Sequence, residues 1–125
     1  MMENLKLAEV EYRFVCIVWE NEPLPSGRLV ELCAEKLGWK KSTTYTVLKR
    51  LVERGVLRNE NSVVTAAVAK EDVLEEESHS VVDKTFDGSL PSFLTAFLGR
   101  RSISKREAEE LKALIDRFRK DEGDD

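Results

Sequence analysis

Apolar residues recur along this chain with a helical period over most of its length. From Leu7 to Glu20 they fall at Val10, Phe14, Ile17 and Val18, which lines one face of a first helix. Trp19, near its end, reads as a core anchor. Pro23 and Pro25 interrupt the pattern, because proline lacks an N–H and clashes with the preceding helical turn. A second helix is predicted from Ser26, read as its N-cap, to about Lys36. It would bury Leu29, Val30, Cys33 and Leu37, and Gly38 would stop it. After the Gly38-Trp39 turn, Thr44, Val47, Leu48 and Leu51 recur at i, i+3, i+4 and i+7. That stripe seats a third helix, about 41–54, on a core, with Trp39 packing beside the turn.

The period changes after Gly55, a good helix-ending residue. Val56-Leu57-Arg58 and Val63 to Val68 flank the polar stretch Asn59-Glu60-Asn61-Ser62, which reads as a β-hairpin around a four-residue turn. Helical spacing then returns. An acidic fourth helix begins near Lys70 and carries Val73, Leu74, Val81, Val82 and Phe86. Asp87-Gly88-Ser89 breaks it, and Leu90, Phe93, Leu94, Phe97 and Leu98 mark a short apolar fifth helix that Gly99 ends. Ser104 and Glu107 form the sequence signature of a capping box. The last helix then places Ala108, Leu111, Leu114, Ile115 and Phe118 on one side, before an acidic tail from Asp121.

The second face of the third helix carries the candidate chemistry. Opposite its apolar stripe lie Lys41, Ser42, Thr43, Tyr45, Thr46, Lys49 and Arg50, with Arg54 and Arg58 following. Hydroxyls can bond base edges, threonine methyls can touch the thymine methyl, and cations can reach phosphate or guanine. Two helices joined by a tight glycine turn form a helix-turn-helix, whose second helix enters the major groove. A hairpin directly after that helix is the wing of a winged helix. On this reading Lys49, Arg54 and Arg58 position the protein on phosphates.

Net charge, −4 over 125 residues, argues weakly against a nucleic-acid partner. Its distribution points the other way. Residues 40–58 hold six cations against Glu53 alone, while residues 1–39 sum to −3 and residues 59–125 to −6. The local field of the third helix outweighs the total.

Other chemistry finds no footing in the sequence. Cys16 and Cys33 lack metal-ligand spacing and read as buried thiols. His79 is the single histidine and has no positioned acid–base partner; no phosphate-cradling glycine motif occurs. The reading is therefore of a protein that is not an enzyme and that uses no metal and no cofactor. No apolar run reaches the ~20 residues of a membrane span. Met1 to Asn4 does not open a signal peptide, so the expected location is cytoplasmic, without membrane insertion.

The last three helices carry strong apolar stripes but no evident core of their own. About 50 residues rarely stabilise themselves by burial alone. The expectation is a homodimer that buries Phe86, Leu90, Phe93, Leu94, Phe97, Leu98, Leu111, Ile115 and Phe118. The alternative is that these helices fold back on the N-terminal half.

An ordered set of short matches covers almost the whole chain. It comprises Leu7-x-x-x-Glu11, Val18-Trp19-Glu20, Pro23-Leu24, Trp39-x-x-x-Thr43-x-x-x-Val47-Leu48-x-Arg50-Leu51 and Gly55-Val56-Leu57. Phe86-Asp87-Gly88-Ser89-Leu90 and Ser104-x-x-Glu107-x-Glu109-Glu110-Leu111 complete it. With these the chain resembles the penicillinase-repressor family of bacterial transcriptional repressors (the BlaI/MecI/CopY type). The resemblance implies an N-terminal winged helix that binds palindromic double-stranded DNA operators as a homodimer, and a C-terminal three-helix dimerisation region. It places the DNA contacts on Ser42, Thr43, Tyr45, Thr46 and Arg50.

This chain departs from the family at three places. Some relatives carry a basic residue where Tyr45 stands, and the wing lacks their aromatic and proline residues. In antibiotic-sensing members a regulatory membrane metalloprotease triggers cleavage at an Asn-Phe bond in the fifth helix; the corresponding pair here is Ala96-Phe97. The cysteine-rich tail of copper-responsive members is missing.

The expectation is a mainly α chain. A winged helix-turn-helix DNA-binding domain with a small β wing occupies 1–70, and a helical dimerisation domain occupies 71–125. The function read from it is transcriptional repression. The competing function, a winged helix used for protein–protein contact without DNA, would show an apolar or acidic outer face on the third helix.

Overall fold

Glu11 opens the first helix by accepting the Ala8 N–H at 3.0 Å, which satisfies one of the amides that every helix start leaves without a partner. In this computed structural model, which describes residues 6–120, helix α1 spans Glu9–Asn21. Its buried face is Phe14, Val15, Ile17 and Val18. Val10, expected inside, is exposed, while Val15, which the expected stripe leaves out, is buried.

Pro23 and Pro25 end the helix as expected, but the break is also a strand. Strand β1, Leu24–Pro25, pairs antiparallel with a later strand. Proline is tolerated at a sheet edge, where its missing N–H costs no ladder bond. Helix α2, Ser26–Leu37, follows directly. Ser26 is not its N-cap: Pro25 holds that position and no side chain caps the helix. The buried face is Leu29, Leu32 and Cys33, while Val30 and Leu37 are only half-buried.

Gly38 closes α2 at φ +69°, a left-handed conformation that glycine enters without Cβ strain. Its N–H and that of Trp39 bond back to the carbonyls of Ala34 and Cys33, both at 3.2 Å. Helix α3, Lys41–Glu53, then crosses the core with Thr44, Val47, Leu48 and Leu51 buried, as the spacing predicts. Strands β2, Leu57–Glu60, and β3, Val63–Ala66, form the wing. The sheet order is β1-β3-β2, all antiparallel, with Leu57 opposite Ala66 and Leu24 opposite Val64.

The hairpin turn is shorter than expected. Asn59 and Glu60 belong to β2, opposite Val64 and Val63, so only Asn61 and Ser62 turn the chain. Both have positive φ, 55° and 63°. That two-residue geometry matches the right-handed twist of the flanking strands. The wing is tied down at its far end, where Trp19 Nε1 donates to the Val68 carbonyl at 3.0 Å and the Glu22 carboxylate accepts the Ala66 N–H at 2.8 Å.

Helices α4, Lys70–Thr85, α5, Leu90–Leu98, and α6, Lys105–Phe118, complete the described chain. Ser89 and Ser104 cap α5 and α6 by accepting the N–H groups of Ser92 and Glu107. All buried residues among those described lie between Leu7 and Val73. Val73, on the first turn of α4, is the last side chain inserted into that core. The architecture is thus a winged helix with a three-stranded sheet, followed by a helical C-terminal region. Cys33 is buried, and burial pushes its thiol pKa up to about 11. Cys16, expected to be buried as well, is half-buried. Among the described residues no helix is long and apolar enough to cross a membrane. Met1 to Asn4 and the acidic tail lie outside the described residues.

Candidate nucleic-acid interface

Burying four residues of α3 fixes which of its side chains look outward. Lys41, Ser42, Thr43, Thr46 and Lys49 are all exposed. Ser42, Thr43 and Thr46 form a short hydroxyl surface on the first turns of the helix, and Lys49 continues it one turn further on. Thr44, the remaining threonine of that segment, is buried and its hydroxyl donates to the Lys40 carbonyl at 3.3 Å. Arg58 stands on β2, exposed, with Nη1 3.4 Å from the Ala66 carbonyl.

Besides Arg58, three side chains of the expected set have partners within the fold. Tyr45 is half-buried, and its hydroxyl donates to Ser26 Oγ at 3.1 Å. The aromatic ring therefore has a packing reason to stand there, which the spacing of α3 does not reveal. Ser26 sits at the first position of α2, so this bond ties the two helices of the helix-turn-helix together. Trp39 has a similar role in the turn, where it stacks on Phe14 with ring centroids 5.5 Å apart.

Arg50 and Arg54 converge on one carboxylate. Arg50 places Nε and Nη2 each 3.1 Å from Glu11 Oε2, and Arg54 places Nη1 3.1 Å from Oε1. Arg54 also donates through Nη2 to the Lys6 carbonyl. Glu11 is the residue that opens α1, so the ion triad joins the start of the first helix to the end of the third. Burial works against the charge on Glu11, but the Ala8 N–H and the two guanidinium groups hold its carboxyl below the usual value. Sequence reasoning gives Glu11 no role in the site, because its partners are 39 and 43 positions away.

A groove of about 390 Å³ runs between α3 and the wing, with Tyr45, Lys49, Val52 and Asn59 on its walls. Glu53 also lines this groove, so Lys49 is balanced there, and the hydroxyl-bearing, cationic surface is the outer face of α3 itself. Among the described residues no three His, Cys, Asp or Glu side chains gather as a metal site requires. His79 pairs with Glu75, at 3.7 Å on the exposed face of α4.

The apolar residues expected at a dimer interface are exposed or half-buried, none of them buried. Neither α5 nor α6 buries any residue. Phe86, Phe93 and Phe97 lean on one another at centroid distances of 5.5 and 6.2 Å. Leu90, Phe97, Ile115 and Phe118 are exposed, Phe118 by 71%. Leu94, Leu98 and Leu111 line an open cleft of about 270 Å³ between α5 and α6. A second cleft, about 500 Å³, includes Leu74 and Val81 of α4, which the expected interface leaves out. Their i, i+7 spacing was the available signal. Leu114 is likewise exposed. Ala96 and Phe97 lie exposed inside the regular helix α5.

Comparison with known proteins agrees with this architecture. The family model described as penicillinase repressor matches residues 7–117. The penicillinase repressor of Bacillus licheniformis is 23% identical over 115 residues, covering 89% of this chain and 90% of the relative. The methicillin resistance regulatory protein MecI of Staphylococcus aureus is 21% identical over 119 residues, covering 92% and 97%.

Proposed function

We propose, from the premise that the chain belongs to the penicillinase-repressor family of transcriptional repressors, that it binds a palindromic operator as a homodimer and represses by excluding polymerase. The single observation that carries this reading is the outer face of α3. A helix whose other side is fully seated presents Ser42, Thr43 and Thr46 to solvent, framed by Lys41 and Lys49. Exposed hydroxyls of this kind suit the base edges of a major groove. Lys41, Lys49 and Arg58 reach phosphates, which fix register without reading sequence. Arg50 and Arg54 face the same DNA from the Glu11 triad. Tyr45 braces the helix-turn-helix and contributes its ring edge along the groove beside the wing.

The open apolar surface of α5 and α6 supports pairing of two chains through residues 71–125, with residues 1–70 as the DNA-binding unit. Contiguous exposed apolar area of this kind marks an interaction surface. A two-fold axis through it would set two α3 helices into major grooves one helical turn, or a multiple of it, apart. Such a dimer acts in the cytoplasm, where its operator is.

Binding of the full chain to a duplex spanning its own promoter, measured by gel shift across a salt series, tests the reading. Salt-sensitive binding that is lost when Ser42, Thr43 and Thr46 are replaced together by alanine is the expected result. Undiminished binding by that variant, or no salt-sensitive binding at this or neighbouring promoters, contradicts it.

A further inference from the structure

A carboxylate bonded to two arginines sits at the edge of the cationic surface assigned to DNA. The Glu11 side chain is 12% exposed and receives the Ala8 N–H on Oε1 as well as the two arginines. Acid next to a phosphate-binding surface weakens it, so its presence there requires a reason. Geometry supplies one. Glu11 engages the Nε and Nη2 side of the Arg50 guanidinium. Of the five N–H groups such a group carries, three are not used by Glu11, including the pair on Nη1. Held from one side, the planar fork offers its other edge as a rigid donor pair, the form that binds phosphate or guanine in two parallel bonds. Arg50 stands one helical turn beyond Thr46 and two beyond Thr43, so that edge extends the hydroxyl surface. Arg54, 26% exposed and tied to Glu11 and to the Lys6 carbonyl, anchors the carboxylate from the other side.

We infer that Glu11 is a positioning residue for sequence discrimination: it aims Arg50 along the recognition face and lowers the affinity of both arginines for phosphates at random. The two effects act in the same sense on specificity. A swinging arginine gains contacts on any duplex, whereas a fixed one favours the sequence that matches its edge. This inference rests on the DNA-binding reading above.

The test compares two duplexes of equal length by fluorescence anisotropy with the full chain: the best sequence that the wild-type chain selects from a randomised pool, and a scrambled version of it. Glu11→Gln keeps an oxygen for the Ala8 N–H and removes the charge. It is expected to bind the scrambled duplex about fivefold to tenfold more tightly at about 0.1 M salt, with a salt slope steeper by about one. Affinity for the selected duplex should change less, so that the ratio of the two falls. Equal changes on both duplexes, or equal losses, overturn the inference and leave Glu11 a structural residue. If Glu11→Gln does not fold, Glu11→Asp is measured in the same way. It keeps the charge but withdraws the carboxylate by one methylene, so a reduced ratio with an unchanged salt slope is expected, and an unchanged ratio overturns the inference. A wild-type chain that selects no duplex at all overturns the DNA-binding reading itself, and this inference with it; a chain that selects one while Glu11→Gln leaves the ratio intact overturns this inference alone.

Discussion

Tyr45 and Lys49 lie four positions apart on the same helix, yet they differ in what their removal should reveal. Tyr45→Phe keeps the ring and deletes the bond to Ser26 Oγ. It should lower unfolding stability by about 1 kcal/mol, the usual net worth of such a bond, read as a shift of the urea midpoint at constant slope. Lys49→Ala should leave stability intact, weaken binding to all duplexes alike and flatten the salt dependence by about one. An effect confined to one base pair would contradict the phosphate assignment. Glu11 adds a dependence on acid. Its carboxyl is held below the usual value, so it stabilises the fold above the unfolded-state value and loses that contribution as the pH falls through the folded one. Thermal unfolding of wild type should therefore decline below about pH 4.5 more steeply than that of Glu11→Gln. Parallel declines would contradict the triad. The spacing of α3 alone made Ser42, Thr43 and Thr46 legible as an outward face. It could not show that Tyr45 meets Ser26, or that Arg50 and Arg54 meet Glu11, because tertiary packing brings those partners from other helices.

Elements were legible where a period was long. Thr44, Val47, Leu48 and Leu51 with Gly55 after them suffice to place α3, and the helix found is Lys41–Glu53. The short elements were harder. β1 is two residues long and one of them is proline, so no alternation could mark it; only its pairing with β3 makes it a strand. In the wing, polar Asn59 and Glu60 read as turn because both are exposed on a hairpin tip that has no core beneath it, so no alternation of apolar and polar marks the end of β2. The turn that does form places Ser62 at φ +63°, where an L side chain carries a steric cost. Ser62→Gly should raise unfolding stability by about 1 kcal/mol without altering the strand register. A destabilised variant would mean that the Ser62 side chain, and not its backbone, holds the wing.

The whole molecule divides its apolar residues unevenly. Among the described residues the buried apolar side chains all lie between Leu7 and Val73, and those after Val73 are exposed or half-buried on surfaces that the single chain leaves open. That asymmetry was visible in the sequence as stripes without a core, and Leu74, Val81 and Leu114 now join the exposed set. If a second copy covers them, Phe97→Glu and Ile115→Glu should each convert the dimer to a monomer in sedimentation while leaving the near-ultraviolet signal of Trp19 and Trp39 unchanged. A monomeric wild type would contradict the pairing, and an unaffected dimer would place the interface elsewhere. Repression as proposed joins this surface to α3: two chains, one duplex, two symmetric half-sites. Sedimentation equilibrium of the full chain mixed with a duplex carrying its selected sequence reads that stoichiometry. A complex of two chains per duplex is expected, with a sharply weaker affinity when one half-site is scrambled. One chain per intact duplex, or an affinity indifferent to the second half-site, would refute the symmetric dimer on DNA.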